Sequence, residues 1–353
     1  MTLMPGPLLV TLRRPARRPT VALVLSSLTL TLLALGCSSG GGEDPPGSGA
    51  EGRSTPLAEE SSEFWVDPES PAARQVRDWE ESGRAEDAQT LRRIADRPQA
   101  VWPTGEGDPG GQVRAVAEAA TAEGRTAVLV AYNIPHRDCG QYSQGGAESD
   151  DAYRRWIDAF AAGIGEAEAL VVLEPDAVAH TLDGCTAPMY VQDRYGLLAE
   201  SVERLKRQPG TRVYVDAGNP DWITDPGRLA QALRDSGIAE ADGFALNVSN
   251  FQSLERSTEY GRELSGLLDG AHFVVDTSRN GDGPWEEGGD ESWCNPPDRA
   301  LGTPPTTRTD DPLADAYLWI KRPGESDGEC RGGPVAGEWW PEYALGLAER
   351  ATD

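Results

Sequence analysis

The chain has 353 residues, with 58 acidic against 32 basic side chains and a formal charge of −26. A surface so acidic repels nucleic acid and other polyanions and suits a neutral substrate. The chain is long enough for one α/β barrel with a sizeable core.

Arg13, Arg14, Arg17 and Arg18 precede an apolar run that ends at Gly36 and Cys37. A basic region, an apolar core and a small residue before the cut predict a signal peptide over 1–36. The run is short of the ~20 residues a membrane-spanning helix needs. Its end, Leu33-Ala34-Leu35-Gly36-Cys37, resembles a bacterial lipoprotein box, in which the cysteine is lipidated. That places a lipid on Cys37 as the single membrane link of an extracellular, monomeric protein; plain secretion is the alternative. Residues 37–62, rich in Gly, Pro, Ser and Glu, read as a flexible tether. Loss of residues 1–36 takes the charge to −30. The folded domain is expected over 63–353.

Within that domain, Phe64-Trp65-Val66 is short and β-prone, 72–94 reads as helical, and 99–102 stops at Pro103. A helix is predicted over 112–123, then a buried strand at 127–131 that runs into Tyr132 and Asn133. An amphipathic helix at 152–164 places Tyr153, Trp156, Ile157, Phe160 and Ile164 at the 3.6 period. A strand at 169–174 leads into Glu174-Pro175-Asp176, and the next helix puts Tyr195, Leu198, Val202 and Leu205 on one face. Strand 212–215 ends at Asp216. Asp225-Pro226 opens a helix as cap and first turn, and Gly237 closes it. Strands at 243–246, 272–275 and 316–320 end at Asn247, Asp276 and Lys321. Alternating strands and helices imply βα units, here a distorted (β/α) barrel around a mostly parallel sheet of seven strands.

Each of these strands delivers a hydrogen-bonding group to one rim: Asn133, Glu174 and Asp176, Asp216, Asn247, Asp276 and Lys321. Local helix capping explains any one of them but not the set. With Trp102, Trp222 and Trp293 nearby in sequence, the rim describes a carbohydrate cleft, since hydroxyls need donors and acceptors and sugar C–H faces lie on aromatic rings. Glycoside hydrolysis needs a proton donor for the leaving oxygen. Asp176 is the candidate acid, because an apolar strand end and Asp138 on the adjacent loop would both raise its pKa. The three histidines adjoin no G-x-S-x-G elbow, there is no close histidine pair for zinc, no calcium-loop spacing and no G-x-G-x-x-G after a strand. No metal or cofactor is expected. Apart from Cys37, four cysteines allow three disulfide pairings. Cys139–Cys185 with Cys294–Cys330 is favoured, because each pair joins loops after neighbouring strands.

Seven motifs in order resemble glycoside hydrolase family 6, the inverting cellulases acting on β-1,4-glucan. They are Tyr132-Asn-Ile-Pro-His-Arg-Asp138-Cys139, Leu173-Glu-Pro-Asp176, Tyr214-Val-Asp216-Ala-Gly, Asn247-Val-Ser-Asn250, Asp276-Thr-Ser-Arg-Asn-Gly, Trp293-Cys294-Asn and Lys321-Arg-Pro-Gly-Glu325-Ser-Asp327-Gly. The resemblance implies Asp176 as general acid, and Asp138 as the group that adjusts it and stabilises an oxocarbenium-like transition state. It implies Asp327 at the place of the proposed base and Ser143 on the loop that positions the catalytic water. Tyr132 would press on the distorted sugar. Asp216, Asn219, Asn247, Asn250, Lys321 and Glu325 would bind hydroxyls, with Trp222 and Trp293 stacking on glucose units. The family's disulfides match the pairing favoured above. Asn219 stands where related endoglucanases carry His. The compact stretch between Cys294 and Lys321 resembles the endoglucanase branch, which implies an open groove and cuts at internal bonds. Cellobiohydrolase-type action and a glucan-binding lipoprotein without catalysis are the competing readings.

Overall fold

In the computed structural model, residues 63–103, 105 and 107–352 are described. The leader, Cys37 and the tether expected above lie outside them. Six short strands form one sheet: β1 (Ala127–Ala131), β2 (Ala169–Leu173), β3 (Thr211–Asp216), β4 (Gly243–Leu246), β5 (His272–Asp276) and β6 (Ala314–Leu318). They lie side by side in chain order and every neighbouring pair is parallel. Along each strand alternate residues face opposite ways. Val128, Val130, Leu170, Val172, Tyr214, Ala245 and Val274 line the inner face. Leu129, Val171, Val213, Val215, Phe244 and Val275 pack outward under the helices. Burial on both faces is why these strands read as continuous apolar runs.

The sheet has six strands among the described residues where seven were expected. The nearest approach to a seventh is the segment at 99–102. Val101 N–H donates to the Val128 carbonyl, Val130 N–H to the Val101 carbonyl, and Ala100 N–H to the Trp319 carbonyl, each at 2.9 Å. It therefore touches β1 on one side and the end of β6 on the other. Pro98 and Pro103 flank it and carry no N–H, which holds the pairing to a single bridge.

The helical stretch expected at 72–94 is two helices, α1 (Pro71–Glu81) and α2 (Ala85–Ala95). Gly83 stands between them at φ 83°. The Arg84 N–H donates back to the Trp79 carbonyl at 2.8 Å, so the left-handed residue closes α1 and turns the chain. α3 (Pro109–Ala122) begins three residues earlier than expected, because Asp108 accepts from the Gly111 N–H and Pro109 fits the first turn. α4 (Asp150–Ile164) is capped by Ser149. After β2 come the short α5 (Ala179–Leu182) and then α6 (Val191–Leu205), whose Tyr195, Leu198, Val202 and Leu205 are buried as the period required. α7 (Pro226–Asp235) carries the predicted Asp225 cap and the left-handed Gly237 beyond its end. α8 (Leu254–Leu267) covers β5, and α9 (Pro341–Arg350) packs with α1 and α2 around Trp319.

Candidate active site

Ala131, Leu173 and Val215 are in register, so β1, β2 and β3 open at one level. Beyond β2 the chain turns through Glu174 at φ 48° and Asp176 at φ 70°. Left-handed backbone at non-glycine residues costs about 1–3 kcal/mol each, so the surroundings must hold it. They do. The Glu174 N–H extends the ladder to the Ala131 carbonyl at 2.8 Å, and the Asp176 N–H donates to Asp216 Oδ2 at 2.8 Å. The Asp176 side chain is left half-buried at the rim. Burial, then Asp216, then Asp138 and Asp183 push its carboxyl well above the ordinary range, with Lys321 opposing. Asp216 itself is pushed up to about 7 by burial.

After β1 the chain folds back on itself. Arg137 donates to the Tyr132 carbonyl at 2.6 Å and to the Ser143 carbonyl at 2.9 Å, while its guanidinium lies 4.7 Å from the Tyr132 ring centre. Gly146, at φ 94°, lets the loop close: a Cβ there would stand 1.9 Å from the Ile134 carbonyl oxygen. Asp138 Oδ2 accepts the Ser143 N–H at 2.5 Å, which brings together two residues that the sequence placed apart. Burial raises the Asp138 carboxyl, against the pull of Ser143 and Arg137. Tyr132 feels both Asp176 and Asp138, and its hydroxyl is raised in turn, chiefly by burial.

Asp327, beyond β6, is buried under converging donors. Arg279 Nη1 reaches its Oδ2 at 2.8 Å and the Asn295 N–H reaches the same oxygen at 3.0 Å. Lys321 Nζ lies 3.6 Å from Oδ1. Lys321 also acts on Asp176 and so links the two carboxyl groups electrostatically. Its own ammonium is lowered by burial. Tyr142, on the β1 loop, crosses to this side: its ring fills the space at Gly328, where a Cβ would meet it at 2.4 Å, and sits 6.1 Å from Trp293.

The aromatic residues expected as platforms are half-exposed. Trp222 donates its indole N–H to Asp183 at 3.0 Å, and Trp102 donates its own to the Ile320 carbonyl at 2.8 Å while packing edge-on to Tyr132. Several rim residues are placed otherwise than their strand-end positions suggested. The Asn247 amide is wholly buried and bonded to Gln252 and to the Asp276 carbonyl, so it holds a loop together and is closed to sugar. Asn219 accepts from the Asp221 and Trp222 N–H groups and thus sets the turn that carries Trp222. Asp216 is 1% exposed and supports Asp176 from behind. Asp276 accepts from the N–H groups of Ser249, Ser278, Ile320 and Lys321 and ties three loops. Asn250 stays half-exposed. Glu325, expected to bind a hydroxyl, is buried and pairs with Arg322 at 2.6 Å. The bonded pairs are Cys139–Cys185 and Cys294–Cys330, as favoured, so the sulfurs near His180 are not free to bind metal.

The model of the family described as glycosyl hydrolases family 6 matches residues 59–351. The chain belongs to glycosyl hydrolase family 6. Endoglucanase A of Cellulomonas fimi is 43% identical over 82% of this chain, and the chain spans 62% of that protein's length. Endoglucanase 1 of Streptomyces halstedii is 42% identical over 80% of this chain and 87% of its own. Among solved structures, the endoglucanase Cel6 of Mycobacterium tuberculosis, in complex with a methyl-cellobiosyl thio-cellobioside, superposes with a TM-score of 0.77. That chain is 44% identical, with 82% of this chain and 98% of that one covered.

Three residues of this family 6 site escaped the reading of the sequence. Arg279 stands inside a quoted motif, yet its partner Asp327 is 48 positions away. Asn295 exchanges backbone and side-chain bonds with Asp327. Tyr142 lies in a Gly-rich loop with no period to mark it. The signal available for Arg279 was an arginine just past a buried strand, where a charge needs a partner.

The buried carboxyls make a prediction about stability. Unfolded, they ionise near the ordinary carboxylate range; folded, Glu174 and Asp216 hold their protons to about 7, and Asp138, Asp176 and Asp276 are raised as well. The folded state therefore binds more protons, and stability falls as pH rises from the ordinary carboxylate range to about 7, by at most about 1.4 kcal/mol per unit for a group such as Glu174 or Asp216, and levels off for these two above that. His180, lowered to about 4 by burial, acts in the opposite direction below its ordinary value. Thermal unfolding should show a melting temperature that rises from pH 8 to pH 6; a flat or opposite slope would contradict the assignment.

Proposed function

We propose that the protein is an endo-β-1,4-glucanase that cleaves internal bonds of cellulose or soluble β-glucan with inversion at the anomeric carbon. Asp176 donates its proton to the glycosidic oxygen as the C1–O bond breaks. Asp138 and the electron-rich Tyr132 ring face the positive charge that develops on the sugar. Water attacks C1 from the opposite side, positioned by the Ser143 loop, and its proton leaves toward Asp327. Lys321 takes a hydroxyl, and Trp102, Trp222 and Trp293 take glucose faces. The observation that carries this reading is the Asp176 turn, pinned at the rim by its N–H bond to Asp216 at 2.8 Å, where burial, Asp216 and Asp138 raise its carboxyl, with Lys321 3.6 Å from Asp327 on the other side. Two disulfides and the leader sequence support export, and Cys37 is proposed as the lipid anchor.

Two readouts on one reaction test it. Proton NMR of soluble β-glucan digestion should show the α-anomer of the new reducing end first, before mutarotation. Viscosity should fall well ahead of reducing-end release. A β-anomer appearing first removes inversion, and viscosity tracking reducing ends removes internal cutting.

A further inference from the structure

Beneath the Asp138 loop and the Asp176 turn lies a second buried polar cluster. Glu174 is wholly buried. Its Oε1 accepts the Asn133 N–H at 2.9 Å, and its Oε2 accepts the N–H groups of Asn133 and Ile134 at 3.0 Å each. Those two residues begin the loop that carries Asp138. Glu174 itself begins the turn that carries Asp176. The Tyr153 hydroxyl on α4, also wholly buried, faces the carboxylate and accepts from the Ser201 hydroxyl at 3.3 Å. Arg194 on α6, 3% exposed, spans the same two loops. Its Nη2 donates to the carbonyls of Pro135 at 3.1 Å and His136 at 2.9 Å, and its Nη1 reaches the Ala177 carbonyl at 3.4 Å. A buried charge is expensive unless its partners are complete, and apolar residues of similar volume often serve stability as well or better. Stability alone is therefore a weak reason for both a glutamate and an arginine here.

We propose that Glu174, Tyr153 and Arg194 form a positioning unit that fixes the Tyr132–Asp138 loop against the Asp176 turn. The inference rests on Asp176 being the acid. The unit touches no sugar. It sets the separation between the Asp138 charge and the Asp176 proton, and that separation decides how strongly the acid holds its proton at working pH. The charged and titratable groups facing Glu174 are Tyr153 and Arg137, with Arg194 alongside. Those facing Asp176 are Asp216, Asp138, Asp183, Lys321 and Tyr132, which also faces Glu174.

The test uses the full domain and two variants, with Asp176→Asn measured alongside. Glu174→Gln replaces one acceptor by an amide donor that opposes the backbone N–H groups. It should lower kcat on soluble β-glucan by about 10- to 100-fold, the effect of misplacing a reacting group by about an ångström. KM should stay within about twofold, since no sugar contact is lost. The alkaline limb of the kcat profile should move to lower pH, because Asp138 no longer sits at its set distance from the acid. Arg194→Lys, which keeps the charge but loses the fork that spans both loops, should follow the same pattern. Should Glu174→Gln fail to fold, Arg194→Lys decides by the same readouts. A wild-type kcat and pH profile, whatever the melting temperature, or a raised KM at unchanged kcat, overturns the proposal. If Asp176→Asn is inactive while both variants behave as wild type, this inference alone falls; if Asp176→Asn retains turnover, the acid assignment falls and takes this inference with it.

Discussion

Asp176→Asn is expected to lower kcat on a soluble β-glucan by about 10²- to 10⁴-fold, or roughly 3–5 kcal/mol of transition-state stabilisation. A sugar hydroxyl is a poor leaving group unless it is protonated as the bond breaks. Asparagine keeps the shape of the side chain and leaves the backbone N–H on Asp216 in place, but it has no acidic proton to give. Binding should hardly change, so KM should stay within about threefold. Folding should not suffer either, because a side chain whose neutral form is favoured by burial, Asp216 and Asp138 is replaced by another neutral one of the same shape. An inactive variant with an equal or higher melting temperature, measured beside its kcat, separates lost chemistry from lost structure. Turnover close to wild type would remove Asp176 from the acid role.

The second large effect is expected at Asp138. Its carboxylate accepts the Ser143 N–H and raises Asp176, and in the proposed mechanism it would face the charge that develops on the sugar. Asp138→Asn can keep an acceptor for Ser143 but loses the negative charge. kcat should fall by about 10- to 100-fold as an electrostatic contribution to the transition state is lost. The direction of the pH effect follows from the same contact. Asp138 raises the Asp176 carboxyl, so without that charge Asp176 loses its proton at lower pH. The alkaline limb of kcat should therefore move down the pH scale, and Asp216, the larger of the two influences, should keep the shift partial. A limb that stays in place, or moves up, would show that Asp138 does not act on the acid.

How much was legible in the sequence differs between levels. The period-3.6 faces of α4 and α6, the Asp225-Pro226 start of α7 and the parallel order of the strands all follow from local pattern, and all stand as expected. Both disulfides do as well. The break at Gly83 was missed because two amphipathic stretches in sequence resemble one helix when only composition is read. The strand-end residues show a deeper limit. Asn133, Glu174, Asp216, Asn247 and Asp276 do cluster at one end of the sheet, yet four of them turn inward and hold backbone amides or neighbouring loops. Which strand-end residues point outward depends on left-handed turns at Asp138, Glu174, Asp176 and Asn247. Such backbone is uncommon outside glycine and leaves no mark in hydropathy. Arg279 and Asn295 fall inside the motifs, yet their pairing with Asp327 left no mark in the sequence, because those bonds cross more than 30 positions of chain.

The most direct measurement compares wild type and Asp176→Asn on two leaving groups. One substrate is β-glucan, whose departing oxygen needs a proton; the other is an aryl cellobioside with a strongly acidic phenol, which departs without one. Proton donation by Asp176 predicts a loss of about 10²-fold or more on the glucan and near wild-type turnover on the aryl glycoside. An equal loss on both would mean that Asp176 does something other than protonate the leaving group.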